Sequence, residues 1–143
     1  MASVQIPLIH YAESERLVSA VQNALSETAF SNRMMIAPRR LREIGANEAA
    51  YFGQYIQQPD VEAARTHGRE MAQNGFGHTS ILKLTAALRS FGWTEEVIDQ
   101  AEWFRLAEEY SLAVVEGYMQ GREDELKQEQ ERTRAAYIRT LQE

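Results

Sequence analysis

Residues 121–143, GREDELKQEQERTRAAYIRTLQE, read as a helix that runs on past the body it belongs to. After Gly121 there is no Gly, Asn or Pro to stop the helix, and its charges are mixed in sign. Its apolar residues, Leu126, Ala135, Tyr137, Ile138 and Leu141, are too sparse to bury it inside a monomer. A helix of this kind carries either a pairing surface for a second copy or a rigid connection to a downstream domain. The chain is therefore expected to be an input module of a longer protein.

Working backwards, the same helix is expected to begin at Thr94. Trp93, Thr94, Glu95, Glu96 and Ile98 supply an N′ aromatic, an N-cap hydroxyl, acids against the helix dipole and an N4 partner for a hydrophobic staple. It passes through Val97, Ala101, Phe104, Tyr110, Val114 and Tyr118, and would be roughly 75 Å long if unbroken. Gly117 and Gly121 mark its expected bend. The apolar density falls there, which divides the chain into a helical sensor or input domain, 1–120, and a protruding helical linker, 121–143.

The rest of the chain has helical apolar spacing and no stretch of clean alternation, so the fold class is all-α. Ile81, Leu84, Thr85, Leu88 and Phe91 form a stripe that Gly92 is expected to close at C′. Gly75-Phe76-Gly77 is a tight connection with Phe76 as a plug, after which His78 or Thr79 restarts the helix. Before it, Pro59 and Asp60 open a helix with Val61, Ala64, Gly68 and Met71 or Ala72 facing inward. Pro38 opens another that reaches about Gln57 through Leu41, Ile44, Phe52, Tyr55 and Ile56. The first clear helix covers about Ala12 to Ala29 with Leu17, Val18, Val21, Leu25 and Thr28 on one face, and Met1 to Tyr11 form a short arm across it. The sum is a bundle of about five to six helices with a long C-terminal signalling helix.

Composition narrows the function classes. At 143 residues and 44% hydrophobic content the chain is long enough for one core without disulfides or metal. The absence of cysteine removes thiolate nucleophiles and Cys-ligated metal sites and fits a reducing cytoplasm. No apolar run approaches the roughly 20 residues that span a bilayer, and a net charge of −6 speaks against a nucleic-acid binder. The expected location is cytoplasmic, with neither membrane nor nucleic acid as partner.

Three histidines, His10, His67 and His78, are the candidate haem or metal ligands, and their spacing matches no i, i+4 metal pair. His78, at a helix start beside the Phe76 plug, is the cofactor-site candidate; the plainer reading has its ring capping the helix or meeting solvent. His67 is read as an ordinary surface residue. Glu108-Glu109 and Glu123-Asp124-Glu125 resemble paired carboxylates but fall among Arg105, Arg122 and Lys127 as ordinary helical charge pairs. With no triad, phosphate loop or metal motif, the chain is expected not to be an enzyme and to need no cofactor. Arg33, Arg39, Arg40 and Arg42 gather around the helix start at Pro38 as an anion or acidic-partner patch, with Glu43 and Glu48 as neutralising neighbours. Tyr51, Phe52, Tyr55, Phe76, Trp93, Trp103 and Phe104 line either a pocket or a plain core.

The stretches Pro38-Arg39-Arg40-Leu41-Arg42, Gly75-Phe76-Gly77-His78 and Glu129-Gln130-Glu131-Arg132-Thr133-Arg134-Ala135-Ala136-Tyr137 carry a family likeness. Together with the order and length of the helices, they make the chain similar to the N-terminal domains of RsbR-type co-antagonists, the sensory proteins of stressosomes. It also resembles the helical input domains that precede STAS, GAF or kinase modules in other bacterial regulators. The likeness covers most of the chain and is most specific from Gln128 to Leu141. It implies a dimeric, globin-like bundle without haem, whose last helix leads into an output domain such as STAS.

The functional expectation is a regulatory input domain of a bacterial signal-transduction protein, relaying a conformational change through its last helix. Dimerisation is expected at Tyr110, Val114, Tyr118 and Leu126, with Leu141 further out. Its partners would be a second copy, an output domain in the same polypeptide and a small-molecule ligand between the helices. The alternatives are a haem or small-molecule binding globin-like sensor using His78, Phe76 and Trp103, and a purely structural scaffold module.

Overall fold

The computed structural model describes residues 5–28, 37–97 and 99–142. Among them are six helices and no strand: α1 (Gln5–Ala12), α2 (Glu15–Glu27), α3 (Pro38–Gln57), α4 (Val61–Gln73), α5 (His78–Thr94) and α6 (Gln100–Gln142). The all-α class follows directly from the apolar spacing. Ala29, Arg33, Ile98 and the first residues of the expected N-terminal arm lie outside the described residues.

The arm expected before the first helix is itself helical. α1 buries Leu8 and Ala12 and packs against α3. Ser14 separates it from α2, donating its hydroxyl to the Tyr11 carbonyl at 2.7 Å while accepting from the Leu17 N–H at 3.3 Å. A side chain that ends one helix and caps the next fixes their relation in two residues. α2 then buries Leu17, Val21, Ala24 and Leu25 against α3 and α5.

Pro38 occupies the first turn of α3, where its missing N–H has no intrahelical partner to lose. Asp60 caps α4 through the Ala63 N–H at 3.1 Å. The turn after α4 uses the left-handed conformation at Gly75, φ 93°, which is open to glycine without a Cβ clash. Phe76 is driven into the core as expected, and its carbonyl accepts the Tyr118 hydroxyl at 2.6 Å, tying the turn to α6.

α4 lies along α6, and three glycines make this possible. A Cβ at Gly68 would stand 2.0 Å from the Val114 carbonyl oxygen, and one at Gly117 would stand 1.9 Å from that of Arg65. A Cβ at Gly121 would meet the Ala72 methyl at 2.8 Å. Backbone touches backbone at this crossing. Gly117 and Gly121, expected to mark a bend, are contact residues within one continuous helix. Arg65 to Glu116 at 3.0 Å and Arg69 to Gln120 at 2.6 Å flank the crossing.

The boundary between α5 and α6 differs most from expectation. α5 continues through Gly92 and Trp93 to Thr94, whose hydroxyl donates back to the Ser90 carbonyl rather than capping a new helix. Glu96 takes a positive φ of 49°, and Asp99, through its side chain on the Glu102 N–H, starts α6. The reason lies at Trp103, which has no exposed surface and presses on Gly92: a Cβ there would come within 2.6 Å of the indole. Gly92 is small to admit an indole, not to end a helix. The indole N–H donates to the Leu88 carbonyl at 2.8 Å, and the ring meets Phe52 edge-on at 5.1 Å, forming the centre of the core.

Candidate functional site

The inward face of α3 carries a carboxylate. Glu48 lies one heptad beyond Leu41 and one turn before Phe52, so helical geometry turns it inward, and it is 5% exposed. Across from it on α4, His67 stands between Ala64 and Met71 on the buried stripe and is 7% exposed. A buried carboxylate requires a partner, and His67 Nε2 sits 2.7 Å and 3.0 Å from the two Glu48 oxygens. Tyr51 stacks on the imidazole, with ring centres 3.8 Å apart and planes at 21°. With Nε2 turned to the carboxylate, Nδ1 is buried and has no hydrogen-bond partner. His67 is therefore part of the interior, which corrects its reading as a surface residue.

This trio separates two cavities. The first, about 470 Å³, opens between α3, α4 and α6 and is walled by Tyr51, Tyr55, Tyr110 and His67. The amides of Gln54, Gln57 and Gln58 and the exposed carboxylate of Asp60 form its rim. The second, about 430 Å³, lies on the other side of Tyr51 and His67, bounded by Arg40, Asn47, Glu48, Glu70 and Phe76. Among the described residues lining the first cavity there is no Lys or Arg.

The tyrosines feel that charge distribution. Burial pushes the Tyr110 hydroxyl well above its ordinary pKa, and the negative charge of Glu48 adds to the effect. Tyr55 is raised by burial and by Glu109, whose carboxylate accepts its hydroxyl at 3.3 Å. The cavity is thus an aromatic, hydrogen-bonding chamber with acidic surroundings, suited to holding a small molecule without covalent chemistry.

Other expected site residues are dispersed. His78 is exposed at the start of α5, with Thr79 as its near neighbour at 3.5 Å. Trp103 belongs to the core centre, and Phe76 lines the second cavity, which neither His78 nor Trp103 joins. Arg39 and Arg40 are exposed in the first turn of α3, Arg42 reaches Glu15 at 2.6 Å, and Arg33 lies outside the described residues. Glu48, expected to neutralise this patch, serves His67 instead. The carboxylate runs behave as helical charge pairs where they are seen: Glu109 with Arg105 at 2.8 Å, Glu125 with Arg122 at 3.2 Å.

Tyr110, Val114 and Tyr118 are 3%, 1% and 5% exposed within the single chain, so they build the body's core and are not free to form a dimer seam. Leu126 and Leu141 are exposed, as are Leu112, Met119, Tyr137 and Ile138. With 3.6 residues per turn, Leu112, Val115, Met119, Leu126, Tyr137 and Leu141 fall within an arc of roughly 80° on α6. Among the described residues, no helix is long and apolar enough to cross a membrane. No family model, curated protein or solved structure matches the chain.

Proposed function

We propose that this chain is a helical sensory input domain that works as a homodimer and passes a change in bundle packing along α6 to an output domain. The observation that carries the reading is the continuity of α6. Its last fully buried residue is Gly121, yet the helix continues to Gln142, about 30 Å further, with every described residue from Leu126 onward exposed. An exposed single helix of that length is stable when it pairs. The aligned residues Leu112, Met119, Leu126, Tyr137 and Leu141 offer the apolar seam, which begins on the body and runs onto the free segment. A rigid element shared by body and projection converts a small shift of α4 on α6 into a displacement at its far end.

In this reading the bundle is globin-like and haem-free, and it acts in the cytoplasm as RsbR-type domains do ahead of STAS or related modules. Support comes from the helical class, the long last helix and the sequence likeness of its outer part. The test is a fusion of residues 1–143 to a dimeric output module, with insertions that step the register of the segment after Arg122 through one heptad. Output activity that rises and falls with helical phase is the expected result. Activity indifferent to the insertions would remove the relay.

A further inference from the structure

We infer that the cavity between α3, α4 and α6 is a binding site for a small organic cation, an amine or quaternary ammonium compound. Three tyrosines, Tyr51, Tyr55 and Tyr110, furnish its aromatic walls. Ring faces attract cations within about 6 Å of the ring centre, and the attraction grows when the site is dry. Asp60 stands on the rim with one oxygen committed to capping α4, and Glu48 and Glu109 lie behind His67 and Tyr55. Glu109 is shared with Arg105 at 2.8 Å, so Asp60 is the carboxylate an anion would meet first, on a rim whose lining holds no Lys or Arg.

One interior group points to a ligand independently of the aromatic lining. His67 is 7% exposed, lines the same cavity and has a buried Nδ1 without a partner. Burial is the main cause of the raised hydroxyl pKa values of Tyr110 and Tyr55, and Glu48 and Glu109 add to it. The walls come from three helices, so an occupant would bear on the packing of α3 and α4 against α6. That consequence rests on the input-domain reading; the binding itself does not.

The probe is choline, titrated into the intact chain and followed by NMR of the tyrosine ring signals. The control is the uncharged alcohol in which carbon replaces the choline nitrogen. Choline is expected to shift the signals of Tyr51, Tyr55 and Tyr110, and the alcohol to bind at least about tenfold more weakly. Tyr51→Leu, at a 41% exposed position, should weaken choline binding by about tenfold. Asp60→Asn keeps the helix cap, since Asn caps as well as Asp, and should weaken it about threefold. Equal response to charged and neutral probes, no shift at these rings, or binding unchanged in both variants would overturn the assignment. Choline binding in a chain whose fusion shows no phase dependence would keep the site and discard the relay, so the two failures are separable.

Discussion

The Glu48–His67 pair is the residue-level feature with most at stake, because each group is buried and each answers the other. Removing one partner of such a pair leaves the other stranded, at a cost of about 3–5 kcal/mol. Glu48→Ala is therefore expected to lower the unfolding free energy by about 3 kcal/mol in urea titrations, while Glu48→Leu combined with His67→Leu should recover most of that loss. A double variant as unstable as the single one would mean that the pair is net stabilising beyond its own desolvation. Tyr110 gives a pH signature. Its hydroxyl pKa is raised above 10.0 by burial, so the folded state keeps the proton that the unfolded state releases. The stabilising effect is complete below pH 10.0 and is lost as pH rises through the folded pKa. Tyr110→Phe should flatten this alkaline decline in a series of denaturation curves. Both inward polar groups were legible in principle, since Glu48 and His67 sit at heptad and one-turn spacings from buried neighbours. What sequence alone does not supply is the pairing across two helices that lets a charge occupy an apolar stripe.

At the scale of elements, sequence and structure agree where a local signal ends a helix, and part where a distant side chain overrides it. Pro38, Asp60 and Gly75 each act on their own backbone, so α3, α4 and the turn after α4 lie close to where the sequence puts them. Gly92 and Thr94 look like a stop and a start, but the Trp103 indole needs the space above Gly92 and the helix runs through both. The same cause separates the expected bend at Gly117 from its role. A glycine in a helix weakens it by roughly 1 kcal/mol, and that local cost is outweighed here by the backbone contact it permits with α4. Gly117→Ala would push a methyl into the Arg65 carbonyl, a clash no rotamer relieves, since the obstacle is main chain. Overpacking of this kind typically costs 1–3 kcal/mol, and with backbone as the obstacle about 3 kcal/mol or more is expected. Thermal unfolding should show a drop in Tm, and hydrogen exchange should quicken along α4 before it does in α5. Unchanged exchange in α4 would mean that the two helices are not held by this crossing.

Across the whole molecule, α6 divides its surface between two tasks, and the buried face explains why the other face matters. Tyr110, Val114 and Tyr118 hold the body together, so any pairing must use the opposite stripe of Leu112, Met119, Leu126, Tyr137 and Leu141. Apolar spacing showed that α6 has seam residues but not which of two faces the body would claim, because both are apolar between Leu106 and Met119. The cavity was less legible still, since its walls come from three helices and no short motif spans them. The chain contains no cysteine, so single introduced thiols report pairing without interference. In a parallel dimer, Leu126→Cys and Tyr137→Cys should each cross-link to the same position on the second copy under mild oxidation. Asp124→Cys, on the far side of the helix, should not. Leu126→Glu places two like charges in the seam, and sedimentation should then show the monomer at concentrations where the parent chain is dimeric. The substitution lies at a position 52% exposed in the single chain, so the body should remain folded with an unchanged helical signal. Cross-links of equal yield at Leu126, Tyr137 and Asp124 would show collision rather than a seam. In that case the exposed stripe would have to be met by a different partner.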